Sequence, residues 1–251
     1  MNEQIRQQLV AYAAAYETED FLTADPSRFM HQVSETPDQE LMAFIASCFS
    51  YGSRRLFLPK LQWILDQSQH KPDKWLRTEA YKVVVADSGE NFYRLQTWHH
   101  LRQLLEALAQ LIMEEGSLGR YVYNRADTAP GALKALTDYF RHWDVGQLVP
   151  KNTKSPCKRL CMFLRWMVRD ASPVDLGLWT FIDKRSLLIP LDTHVQQEAL
   201  RLGLIESRTA GMNTVIRLTA ELRKIFPDDP AKGDFALFGY GVNNENGSQH
   251  K

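Results

Sequence analysis

Hydrophobic positions recur along most of the chain at helical spacing. Leu41, Phe44, Ile45, Cys48 and Phe49 fall at the offsets of one buried helical face. Thr36, Pro37, Asp38 and Gln39 precede them as a capping box with proline in the first turn, and Gly52 marks the end. Leu101, Leu104, Leu105, Leu108, Leu111 and Ile112 repeat the pattern in a long helix that stops at Gly116. Leu133, Leu136, Phe140 and Trp143 repeat it after Pro130, and Val215, Leu218, Leu222 and Ile225 do so again. Only residues 81–87, "YKVVVAD", have the β-branched density of a strand, and one short strand builds no sheet. The predicted fold class is therefore all-α.

Proline and glycine are spread along the chain instead of gathering in one linker, and neither an internal repeat nor a low-complexity tract interrupts it. The expected organisation is one unit of two helical lobes, residues 55–170 forming the central lobe and 1–54 joining 171–251 in the second. The tail "GVNNENGSQHK", residues 241–251, reads as frayed.

Composition narrows the function classes. With 251 residues, 44% of them hydrophobic, the chain can bury a substantial core. Thirty basic residues balance thirty acidic ones, so any nucleic-acid contact must come from a local patch. The three cysteines, Cys48, Cys157 and Cys161, have no paired spacing for a disulfide framework, zinc or an iron–sulfur cluster. The N-terminus lacks the basic start and apolar core of a signal peptide, and no run approaches the roughly 20 apolar residues of a membrane span. A cytoplasmic protein without metal or cofactor is the expectation.

The local patch lies in residues 151–169, which contain Lys151, Lys154, Lys158, Arg159, Arg165 and Arg169 and no acid. Ser155 is placed to cap a helix and Pro156 to be its first residue, so Lys158 is expected third, where Glu or Gln would close a capping box. Leu160, Phe163, Leu164, Met167 and Val168 make the buried stripe, with Lys158, Arg165 and Arg169 on another face. A cation at the positive end of the helix dipole is unfavourable by roughly 0.3–1 kcal/mol, and this together with the neighbouring cations favours a neutral, nucleophilic amine. Further on, Asp192 in "IPLDTHVQQEALRLGL" is a natural N-cap of a helix that ends at Gly203.

Together, "SPCKRLCMFLRWM" and "IPLDTHV" resemble the core of the helix-hairpin-helix DNA glycosylase superfamily, and the separation of Lys158 from Asp192 is nearest to its archaeal 8-oxoguanine glycosylase branch. Residues 40–54, "ELMAFIASCFSYGSR", and 229–241, "DPAKGDFALFGYG", also resemble a bacterial family of unknown function. The glycosylase resemblance implies a two-lobed helical fold with a helix-hairpin-helix element, Lys158 as nucleophile and Asp192 as the essential acid. It further implies damaged DNA as partner, base excision with AP-lyase strand cleavage, and a flipped nucleotide held in a pocket between the lobes. Lys151, Lys154 and Arg159 are the expected phosphate contacts. The chain departs from the superfamily at residues 149–156, "VPKNTKSP", which lack the glycine-rich turn whose amides grip phosphate, and it lacks a four-cysteine cluster.

Two other readings stand beside this one: a non-catalytic nucleic-acid-binding protein on the same scaffold, and a helical protein-interaction domain. The adjacent His99 and His100 are read as helix-surface residues, His194 as a structural hydrogen-bonding residue, Trp166 and Trp179 as core, and Asp175 as a helix cap.

Overall fold

The structure, a computed structural model, describes residues 2–248, with side chains through Gly241. In chain order the elements are α1 (Glu3–Tyr16), α2 (Thr36–Phe49), α3 (Arg54–Gln67), α4 (Pro72–Arg77), α5 (Tyr81–Val84), β1 (Asn91–Tyr93), β2 (Gln96–Thr97), α6 (Trp98–Glu115), α7 (Leu118–Tyr123), α8 (Ala129–Phe140), α9 (Lys158–Val168), α10 (Thr193–Arg201), α11 (Met212–Arg223) and α12 (Gly233–Ser248), with short 3-10 turns between some of them. β1 and β2 form one antiparallel hairpin, Asn91 opposite Thr97 and Tyr93 opposite Gln96. The described residues are thus all-α apart from this hairpin.

The chain divides into two compact units. The first gathers the N-terminal residues through Phe21, Thr128–Pro130 and the chain from Thr153 onward; the second comprises Leu22–Asp127 and Gly131–Asn152. These boundaries correct the expected lobes of 55–170 and 1–54 plus 171–251. Residues 22–54 belong with the middle of the chain, because α2 packs on the 3-10 turn Pro26–Gln32, on α3 and on α4. Residues 153–170, with α9, belong with the chain ends, for reasons that lie in the charges α9 carries.

In the second unit α2 is buried almost all round, including its acids Asp38 and Glu40. The capping box expected at Thr36 does not form: Glu35 is the N-cap and makes no side-chain cap bond. The acids instead serve neighbouring helices. Asp38 accepts the Asp73 N–H of the first turn of α4 at 2.8 Å, and Glu40 accepts the Gly119 N–H of the first turn of α7 at 3.1 Å. Each carboxylate thereby satisfies an orphan donor at the positive end of a helix. The end expected near Gly52 comes earlier, at Phe49. α6 follows its apolar periodicity and stops at Gly116, whose φ of 91° suits glycine.

Residues 81–87 are not a strand. Tyr81–Val84 form one helical turn in which Tyr81 is buried, edge-on to Trp75 and under Arg102, whereas Val83 is 88% exposed. Among the described residues no neighbouring strand offers the run a ladder, and of its three valines only Val85 is buried while Val83 and Val84 face solvent. The tail read as frayed continues α12 as far as Ser248; residues 249–251 lie outside the described residues.

Candidate active site

In the first unit, α9 begins two residues later than the sequence expectation. Cys157 is the N-cap, in the left-handed conformation with φ 48° and ψ 31°, and Ser155 and Pro156 stay outside the helix. A non-glycine residue in that region stores about 1–3 kcal/mol of local strain. Its effect here is to make Lys158 the first helical residue, with Cys161 donating its N–H to Cys157 O at 2.9 Å. Burial pushes the Cys157 and Cys161 thiols upward, which keeps them protonated and poor nucleophiles.

Lys158 Nζ lies 3.2 Å from Asp192 Oδ2, the two side chains being 34% and 30% exposed. Asp192 is also the N-cap of α10: its Oδ1 accepts the Val195 N–H at 2.8 Å and its carbonyl accepts the Gln196 N–H at 2.9 Å. One carboxylate oxygen therefore closes the helix while the other holds the amine. The far end of α10 is locked in turn. Leu204 donates to Ala199 O at 2.9 Å and Gly203 to Leu200 O at 3.0 Å, a Schellman arrangement with Gly203 at φ 68°. A primary amine in contact with a carboxylate can pass a proton to it and attack an electrophilic carbon.

The expected basic face of α9 is not an outward face. Arg165 and Arg169 are each 2% exposed, and the helix is buried from Leu160 through Val168. Arg165 pairs with Asp175 at 3.2 Å and with Asp234; Arg169 pairs with Asp175, with Asp229 at 2.8–3.0 Å and with Glu17 at 2.7 Å. Lys232 reaches the other oxygen of Glu17 at 3.4 Å, and both guanidiniums stack over Phe235. Asp175 is accordingly no helix cap, but a fully buried acceptor shared by two arginines. Burial raises the Glu17 carboxyl, and the Arg169 guanidinium, the Ser172 and Arg169 hydrogen bonds and Lys232 outweigh it to leave the group below the usual range. The network draws on α1, α9, the 170–176 loop, the Pro230–Lys232 turn and α12, and it anchors α9 by the half opposite Lys158.

Of the remaining predicted residues, Lys154 is exposed and Arg159 half-buried in the first unit, whereas Lys151 is exposed in the second. α8 ends at Phe140, so the connection ahead of α9, residues 141–157, is longer than a tight helical hairpin. Lys154 lines a cavity of about 520 Å³ together with Thr153, Ser207, Thr209, Asn213 and Arg217. Its walls carry two cations and no acid. Met212 N–H donates to Lys154 O at 3.2 Å, tying this segment to the start of α11, and Thr214 Oγ1 donates to Thr209 O at 2.7 Å. Sequence reading missed Arg217 and the 207–213 loop, which carry no motif; only the polar run ahead of the α11 periodicity pointed to them.

Trp166 and Trp179 are buried core residues, as expected, and His194 is exposed. The second unit's His99, read as a surface residue, meets acids from distant segments: Asp87 at 2.5 Å and Asp144 at 3.4 Å. Among the described residues no group of three His, Cys, Asp or Glu side chains could hold a metal ion, and no helix is long and apolar enough to cross a membrane.

A family described as protein of unknown function (DUF2400) matches residues 25–243. Neither the curated proteins nor the solved structures contain a match. The family match spans both units, from the 3-10 turn at Pro26 into α12, and the chain belongs to the DUF2400 family.

Proposed function

We propose that this protein is a DNA glycosylase with AP-lyase chemistry, built on a helix-hairpin-helix-like scaffold, in which Lys158 is the nucleophile and Asp192 its proton acceptor. The observation that carries this reading is the 3.2 Å approach of Lys158 Nζ to Asp192 Oδ2 while Oδ1 of the same carboxylate holds the N-terminus of α10. Two side chains 34 residues apart, each on the first turn or cap of its helix, converge as the glycosylase resemblance implies.

In the reaction Asp192 takes a proton from the Lys158 amine, whose lone pair forms a bond to C1′ of the damaged nucleotide. The C1′–base bond breaks, its electron pair leaves with the base, and the base takes the proton that Asp192 removed from the amine. Opening of the C1′–O4′ bond, with a proton to O4′, gives the Schiff base; loss of a C2′ proton then expels the 3′ phosphate. Having passed that proton on, the Asp192 carboxylate stabilises the positive charge of the Schiff base. The glycine-free connection cannot supply the backbone amides of a phosphate-gripping turn, and the acid-free cavity lined by Lys154 and Arg217 takes that role. Arg159, in the same unit, adds charge along the strand. A reducing cytoplasm suits three buried cysteines.

Borohydride reduction tests this directly. Incubated with duplexes carrying abasic sites or oxidised bases, the protein is expected to become covalently linked to DNA, and Lys158→Gln to abolish the adduct. An adduct that persists in Lys158→Gln refutes the assignment. A second reading, a nucleic-acid-binding protein without turnover, rests on the cavity, which needs no amine chemistry. Binding without adducts, with a salt dependence that weakens in Lys154→Gln and Arg217→Gln, is its signature.

A further inference from the structure

The first turn of α6, in the second unit, is capped by a distant piece of chain. Thr97 is the N-cap, accepting the His100 N–H at 3.3 Å, and His100 Nδ1 accepts the Thr97 N–H at 3.2 Å, a histidine standing where a capping box has Glu or Gln. The two preceding amides are taken by the segment ahead of β1: Trp98 donates to Glu90 O at 3.0 Å and His99 to Ser88 O at 2.8 Å. Residues 87–90 thus close the helix start with their carbonyls, and their own placement depends on what holds them there.

The His99 ring holds them at one corner. Its Nδ1 lies 2.5 Å from Asp87 Oδ1, and its Nε2 lies 3.4 Å from Oδ2 of Asp144, in the turn that follows α8. A neutral imidazole carries one N–H and can satisfy one carboxylate, presenting a lone pair to the other; only the imidazolium donates to both. The arrangement is therefore built for the charged ring, although His99 sits in the first turn of α6, where the helix dipole opposes a cation. Asp87 from the segment before β1, Asp144 from the turn after α8 and His100 from α6 itself are the titratable groups that meet the ring, His100 standing 3.9 Å from Asp144 by its Nε2.

We propose that His99 is a pH-dependent clamp: protonated, it ties the Asp87–Glu90 segment and the Asp144 turn to the start of α6, and deprotonated, it releases one of the two carboxylates. The Asp87 hydrogen bond and the charges of Asp87 and Asp144 outweigh the slight burial of the ring and hold its pKa above the usual 6.5. The sign follows. A group whose pKa is raised in the folded state contributes fully below its unfolded value and loses that contribution as pH rises through the folded value. The clamp therefore stays closed past the ordinary histidine value of about 6.5 and opens as pH rises through the raised folded value. Its effect is local and salt-sensitive, because both carboxylates are more than half exposed.

The test is nuclear magnetic resonance on the whole chain. The His99 ring is expected to titrate above the ordinary histidine range in the wild type and to fall toward it in Asp144→Asn, a substitution at an exposed position that leaves the core untouched. Protection of the Trp98 and His99 amides from hydrogen exchange, corrected for intrinsic rates, should drop by about two- to five-fold as pH rises through that titration, the range of an exposed ion pair. In His99→Gln this pH dependence should vanish. Titration of His99 at or below the ordinary value, or the same loss of protection in His99→Gln, overturns the proposal. Protection that falls on acidification, the opposite slope, also counts against it.

Discussion

Arg169→Met removes a cation that meets three carboxylates. Methionine fills much of the aliphatic volume, so the packing loss is small and the electrostatic loss dominates. Asp175, wholly buried, keeps Arg165; Glu17, 8% exposed at its side chain, keeps Lys232 and the Ser172 hydrogen bond; Asp229 keeps no cation from α9. Breaking a buried pair by deleting one partner costs about 3–5 kcal/mol, because the charge left behind is neither solvated nor compensated. With a urea slope of about 2 kcal/mol/M, the unfolding midpoint should fall by about 1.5–2.5 M, followed by far-UV circular dichroism. Adding Asp175→Asn to Arg169→Met should cost less than the sum of the single changes, with a coupling of about 0.5–3 kcal/mol. The exposed pair Lys184 and Asp170, 2.5 Å apart, provides the contrast: Asp170→Asn should leave the midpoint where it is. Additive single changes, or an Arg169→Met midpoint as little altered as that of Asp170→Asn, would show that the guanidinium is solvated and the network is no anchor.

Three further expectations follow from the same geometry. Asp192→Asn keeps a competent N-cap and should leave stability within about 0.5 kcal/mol, whereas Asp192→Ala should lose about 1 kcal/mol more with the cap; both should abolish borohydride adducts, and an Asn variant that forms them would separate the carboxylate from the chemistry. The depressed Glu17 carboxyl contributes stability above its unfolded value near pH 4.5 that is lost as pH falls through the lower folded value; acid titration of unfolding should show this loss, and Glu17→Gln should flatten it. Gly177 has φ 63°, and an added Cβ would stand 2.8 Å from Asp170 Cα and 3.0 Å from Arg169 O, so Gly177→Ala should destabilise by more than about 1 kcal/mol in thermal or urea unfolding.

Elements set by local chemistry were legible in the sequence. The α6 stripe and its glycine stop, and the Asp192 cap and Gly203 turn of α10, depend on residues within a few positions of one another, and they form as read. The proximity of Lys158 to Asp192 was reached through resemblance, since nothing in spacing alone brings two helix starts together. What escaped depends on distant partners. Arg165 and Arg169 looked like an outward basic face because their acids lie between 6 and 152 positions away in the chain, and burial reversed their meaning. Asp38 and Glu40 likewise accept helix-start amides that lie 35 and 79 positions later. The left-handed Cys157 had no signal, because such a conformation is normally advertised by glycine or asparagine.

In the proposed reaction, the shared carboxylate of Asp192 would couple reaction progress to secondary structure. A proton arriving on Oδ2 neutralises the group, so Oδ1 holds the Val195 amide with an uncharged acceptor and the first turn of α10 loosens until that proton departs. Turnover would thus be written into the backbone as a transient softening at one helix tip, readable at a single amide without any label on the nucleic acid.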